Sequence, residues 1–153
     1  MDNLLISVDF DKMDFPKKHT CEGEDTSPAI RIANCQSAFL AVTVDDWTGP
    51  DTRVCHWLMW DIGARDTIPE NIPQAPVITQ PFEAVQGKND LGTIGYTGPC
   101  PPKGEVHSYY FNVYGLDRKL DLPPGASRAE LEKAMEGHML QYGGQPIATF
   151  QRE

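Results

Sequence analysis

The sequence predicts a mainly β protein, an antiparallel β-sandwich carrying one helix near its carboxyl end. Three observations lead there. Runs rich in β-branched and aromatic residues alternate with period two at AFLAVTV (38–44), VCHWLMW (54–60) and VHSYYFNVY (106–114). Gly, Pro, Asp or Asn bound each run, so the strands end in turns and connect antiparallel. A helical spacing is persuasive in one place, after Ser127.

In chain order, LLISV at 4–8 and IRIA at 30–33 read as short strands, followed by the first long run and a corner, VDDWTGPDT at 44–52. The second run leads on to a second corner, GYTGPCPPKG at 95–104, and that corner launches the third run. Ser127 with Glu130 three residues on is a capping-box signature. Leu131, Ala134, Met135, His138 and Met139 then recur at helical spacing until Gly143 and Gly144, with Gly137 inside the helix suggesting close packing. PIATF at 146–150 is a last strand.

Alternation assigns faces. Val54, His56, Leu58 and Trp60 share one face of their strand, with Cys55, Trp57 and Met59 on the other. On the third run His107, Tyr109, Phe111 and Val113 share a face, opposite Ser108 and Tyr110. If the two strands are neighbours, both histidines and both Pro/Gly corners converge at one end of the sheet.

At 153 residues the chain is expected to form a single domain, 1–153. Acidic residues number 22 against 13 basic ones, and a net charge of −9 with no basic cluster speaks against nucleic acid as a partner. No stretch approaches the roughly 18 apolar residues of a membrane span, so no stable membrane insertion is expected. The start, MDNLLISVDFDKMDF, lacks the charged and apolar regions of a signal peptide, so a cytoplasmic location is expected. Cys21, Cys35, Cys55 and Cys100 form no C-x-x-C pair, and in a reducing compartment four free thiols are expected.

The pieces CEGEDTSPAIRI (21–32), DDWTGPDTRVCHW (45–57), GKNDLGTIGYTGPCPPKGEVHSYYFNVYGLD (87–117) and LDLPPGASRAELEKAMEGHML (120–140) resemble, in order, the phosphatidylethanolamine-binding protein family. The likeness is strongest to its short bacterial and archaeal branch, the Raf-kinase-inhibitor-like proteins. It implies that family's β-sandwich with a small pocket for phosphate or a phospholipid headgroup. The family's Asp-Pro-Asp-x-Pro motif falls on Asp46, Trp47, Thr48, Gly49 and Pro50, so the second carboxylate is lost at Thr48. The family's last bond in that motif is cis, which Gly49-Pro50 can keep. Its strand histidine falls on His56, and its His-Arg-Tyr triplet on His107, Ser108 and Tyr109.

The ligand-binding set is therefore Asp46, Pro50, His56, Cys100, Pro101, His107 and Tyr109, with no catalytic residue, no metal and no cofactor. Two imidazoles, a phenol and turn N–H groups near Cys100 supply the donors an oxyanion needs in an acidic protein. Asp46 is expected to accept from a histidine ring N–H, fixing its tautomer and raising its pKa, or to meet a partly protonated phosphate or a ligand ammonium. The resemblance also implies a second function class, inhibition of a serine protease or protein kinase through surface loops, and admits a homodimer.

Rival chemistries are weaker. Cys55–His56 and His107–Ser108 are adjacent on strands and project to opposite faces, which disfavours nucleophilic dyads. Cys100 has no identifiable base. Asp46, His56 and His107 suit zinc or manganese chemically, but the resemblance argues otherwise. Glu22, Glu24 and Asp25 lack calcium-loop spacing.

Overall fold

The computed structural model describes residues 2–10, 13–49 and 52–152. Its strands are β1 (Leu5–Ser7), β2 (Met13–Asp14), β3 (Ile30–Ala33), β4 (Phe39–Gly49), β5 (Thr52–Gly63), β6 (Thr67–Ile68), β7 (Val77–Ile78), β8 (Ala84–Gln86), β9 (Val106–Leu116) and β10 (Met139–Gln151), with helix α1 at Arg128–Met135. They form a small sheet, β1-β3-β6, and a large one, β2-β10-β9-β4-β5-β8-β7. All pairings are antiparallel apart from β2 on β10, where Ala148 meets Met13 and Thr149 meets Asp14 in parallel.

Both faces of the large sheet are covered, which explains why Trp57, Leu58, Met59 and Trp60 in succession are all fully buried. One face packs Val42, Val44, Trp57, Met59, Phe111 and Val113 against Ile6, Ile30, Ile32 and Ile68 from the small-sheet side. On the other face Ala41, Cys55, Leu58 and Trp60 pack against Leu120, Ala126, Leu131 and Met135. Removing such large apolar side chains from water is the main stabilising term.

The capping box forms as the sequence predicts: Ser127 Oγ accepts from Glu130 N at 3.2 Å, and Glu130 Oε1 accepts from Ser127 N at 2.9 Å. The helix is shorter than its periodicity suggests. Gly137 adopts φ +81°, a conformation that stops the helix, and has open space beside it, so it terminates α1 instead of packing inside it. Met139 then opens β10, and Gly143 lies within that strand, where a Cβ would strike the Leu4 carbonyl.

The expectation of four free thiols fails for two of them. Cys21 and Cys100 form a disulfide across 79 residues, while Cys35 and Cys55 are free. Sequence spacing carries no information on which distant loops meet. Here Asp25 Oδ1 accepts from Gly98 N at 2.8 Å, Pro99 O accepts from Cys21 N at 3.2 Å, and Tyr96 donates its hydroxyl to His19 O at 2.6 Å. Those bonds hold the two loops side by side. Among the described residues, no helix is long and apolar enough to cross a membrane.

Candidate functional site

β5 and β9, the histidine-bearing strands, are not neighbours. β4 runs between them and supplies the group on which both rings converge. Asp46 stands opposite Val54 of β5 on one side and Tyr109 of β9 on the other. Its Oδ2 lies 2.7 Å from His107 Nδ1 and 3.9 Å from His56 Nε2.

His56 reaches this face through a bulge. Val44 pairs with Trp57 and Asp45 with Cys55, so His56 is an extra residue without a partner in the β4–β5 register. A bulge turns one side chain out of strict alternation. Leu58 and Trp60 accordingly face the helix side, whereas His56 turns to meet Asp46 and packs edge-on to Tyr109, with ring centres 5.6 Å apart. The face assigned to His56 by alternation is thus corrected.

The loop after β8 fastens the bulge. Asn89 Nδ2 donates to the carbonyls of His56 and Gly95 and to Thr97 Oγ1, at 3.0–3.1 Å, while Asn89 Oδ1 accepts from Leu91 N and Thr93 N, each at 3.0 Å. Thr97 N donates to His56 O at 3.1 Å. Thr97 O lies 2.7 Å from His56 Nδ1, so that nitrogen carries the proton and donates. Asn89→Ala removes these bonds and takes that partner from the Gly95 carbonyl and the Leu91 and Thr93 N–H groups, with an expected loss of roughly 2–3 kcal/mol in a urea titration.

His107 has carboxylates on both ring nitrogens: Asp46 at Nδ1 and Glu105 Oε1 at Nε2, 3.1 Å away. Each nitrogen must donate, which is the imidazolium form. Partial burial opposes that charge, but the bonds from Glu105 and Asp46 outweigh it, and the His107 pKa is raised above its ordinary value. With both nitrogens so engaged, the ring offers no lone pair to a metal, and among the described residues no His, Cys, Asp or Glu cluster is arranged to hold one.

Two buried polar atoms at the site make no hydrogen bond with the described residues, Asp46 Oδ1 and the Tyr109 hydroxyl. Burial first, and then the nearby Asp46 charge, push the Tyr109 phenol far above its ordinary pKa, yet the two groups are not in bonding geometry. Unmatched buried polar atoms are uncommon and call for an explanation. The site is nearly closed: His56, Asp46 and His107 side chains are 6%, 7% and 12% exposed, and the exposed Glu105 carboxylate stands at its mouth.

The remaining candidates divide. Cys100 is exposed and bridged to Cys21, so no free thiol is presented there. Pro101 is buried, and its carbonyl accepts from Arg152 Nη1 at 3.3 Å. Pro50, with the Gly49–Pro50 bond, lies outside the described residues. Cys55 is buried, donates its thiol to Trp57 O at 3.4 Å, and is pushed up to about 12 by burial, so it is no nucleophile. Sequence reasoning missed Glu105, although its position two residues before His107 on an extended chain is the signal that would have found it.

Residues 6–146 match the family model for phosphatidylethanolamine-binding protein. The chain belongs to the phosphatidylethanolamine-binding protein family. It is 48% identical to a UPF0098 protein of Pyrococcus horikoshii across 99% of this chain and 78% of that one. To a UPF0098 protein of Methanothermobacter thermautotrophicus it is 43% identical across 90% and 91%. A crystal structure of a putative phosphatidylethanolamine-binding protein homologue from Chlamydia trachomatis superposes with a TM-score of 0.85 at 27% identity, covering all of both chains. E. coli YbcL, a member of the mammalian PEBP family, gives 0.85 at 26% identity over 99% of each chain. The two bacterial structures thus share this chain's fold, and Asp46, His56, His107 and Tyr109 stand together in one site of it.

Proposed function

We propose that the Asp46, His56, His107 and Tyr109 site binds a small phosphoryl group, inorganic or the head of a phospholipid, without turning it over. The observation that carries this reading is a doubly held imidazolium beside the buried, unmatched Tyr109 hydroxyl, in a chain of net charge −9. An oxyanion takes the place of Glu105 at His107 Nε2. A protonated ligand oxygen donates to His56 Nε2, whose ring proton is committed to Thr97. The Tyr109 hydroxyl donates to another ligand oxygen. Asp46 touches no anion directly; it keeps His107 charged.

The absence of turnover belongs to the same proposal, supported by the buried Cys55 thiol, which burial keeps protonated. The Cys21–Cys100 bridge weighs against the cytoplasmic location expected from the sequence, because an ordinary reducing cytoplasm keeps thiols reduced.

The test is a titration with phosphate and with phosphoethanolamine, following the histidine ring resonances. Both His56 and His107 should shift together, and His107→Ala should abolish the response. Glu105→Gln, which removes the competing carboxylate, should tighten phosphate binding about threefold to tenfold. Affinity should rise as pH falls through the raised His107 pKa. Sulfate, which keeps its charge across that range, isolates the contribution of the ring. Silent rings, together with inhibition of a protease or kinase by the same preparation, would transfer the function to the surface loops.

A further inference from the structure

A second polar pocket lies across the sheet from the histidines. Alternation along β4 sends Asp45 to the face opposite Asp46. There it meets Arg128 at the start of α1, whose Nη2 lies 3.3 Å from Asp45 Oδ2 and 3.1 Å from the Tyr114 hydroxyl. Asn112 Nδ2 donates to the same Oδ2 at 3.1 Å. Asp45 is 1% and Arg128 5% exposed. A buried ion pair is stabilising only when its hydrogen bonds are complete, and these are not. Asp45 Oδ1, Arg128 Nε and Arg128 Nη1 make no hydrogen bond with the described residues, although Nη1 stands 3.2 Å from Glu132 Oε1. A pair serving only to pin the helix would place its guanidinium fork on both carboxylate oxygens. Here one nitrogen meets one oxygen, Nη1 faces only the Glu132 carboxylate, and Asp45 Oδ1 and Arg128 Nε are left over.

Beside the pair opens a cavity of about 540 Å³, lined by Asp45, Arg128, Asn112, Trp47 and Tyr142 among others. Its size suits a small molecule. Trp47 and Tyr142 are exposed, and the Arg53 guanidinium sits 6.0 Å from the Trp47 ring while pairing with Glu132 at 2.8 Å. The pocket thus combines a flat aromatic wall with a buried carboxylate acceptor and a cationic donor pair that the Glu132 carboxylate bridges.

We propose that this pocket is a second ligand site, shaped for an aromatic α-amino acid. The ligand carboxylate displaces Glu132 from Arg128 and Arg53, its ammonium lies on Asp45 Oδ1, and its ring against Trp47. The orphan atoms are shielded from water, so entry requires Tyr142 to swing out, breaking its 2.6 Å bond to Asn112 Oδ1. The inference is independent of the phosphoryl reading, since it uses none of the same side chains.

The experiment titrates L-phenylalanine into the full isotope-labelled chain, following the Trp47 indole and Arg128 Nε resonances. Both are expected to shift with a Kd of about 1 mM or tighter, while the rings of His56 and His107 stay put. Phenylpropionate, lacking the ammonium, and phenethylamine, lacking the carboxylate, should bind about tenfold more weakly or worse. Arg53→Ala and Trp47→Leu alter the rim and leave the buried pair in place; each should weaken binding severalfold, and Asp45→Asn, if it folds, about tenfold. No shift up to about 20 mM phenylalanine, equal binding of the two truncated analogues, or shifts confined to the histidine rings would overturn the proposal.

Discussion

Replacing Cys21 and Cys100 by serine is expected to lower the unfolding free energy by about 4 kcal/mol, the chain-entropy value for a bridge spanning 79 residues. For a chain of this length that corresponds to a Tm roughly 10 °C lower. The fold itself should survive, because the loops at 17–25 and 96–100 are also joined through Asp25, Tyr96 and Pro99. The histidine rings should then respond to phosphate much as before, since neither sulfur contributes to the site. Denaturation curves of the wild type with and without reductant check this result: coincident midpoints would mean that the bridge does not constrain the unfolded chain as described.

Asp46→Asn is expected to cost about 2 kcal/mol at pH 6, the loss of a charge-assisted hydrogen bond that leaves His107 with Glu105 alone. The sign of the pH dependence follows from His107. Its folded pKa stands above the ordinary 6.5, so the stabilisation from its charged form is complete below 6.5 and is lost as pH rises through the folded value. The penalty of the substitution should therefore be largest below pH 6.5 and shrink above the folded pKa. The His107 titration itself should move down, because the Asp46 bond and charge no longer oppose the effect of burial. Urea midpoints at several pH values, with ring titrations of both proteins, make the comparison. A penalty that does not change with pH would show that Asp46 acts through packing and not through the imidazolium.

Period-two alternation located β3, β4, β5 and β9 because their apolar residues face packed layers on one side or both. The capping box located α1 because Ser127 and Glu130 satisfy each other's backbone within three residues. His107 and Tyr109 shared a face in the sequence and share one in the fold, since β9 runs without a bulge against β4. Alternation could not see the bulge at His56, which depends on Asn89 and Thr97 from a loop more than 30 residues away. Nor could it place β4 between the two histidine strands, because strand order is a tertiary property. The Cys21–Cys100 pairing was hidden for the same reason. Gly137 read as a packing position because its neighbours kept helical spacing; its left-handed backbone shows only in three dimensions.

The most direct measurement is a crystal structure of the chain grown or soaked in phosphate. The account predicts an oxyanion between the two rings, within hydrogen-bond distance of His107 Nε2, His56 Nε2 and the Tyr109 hydroxyl, with Glu105 turned away. A site in which Glu105 keeps its bond to His107, and in which phosphate is found only elsewhere or not at all, would contradict it.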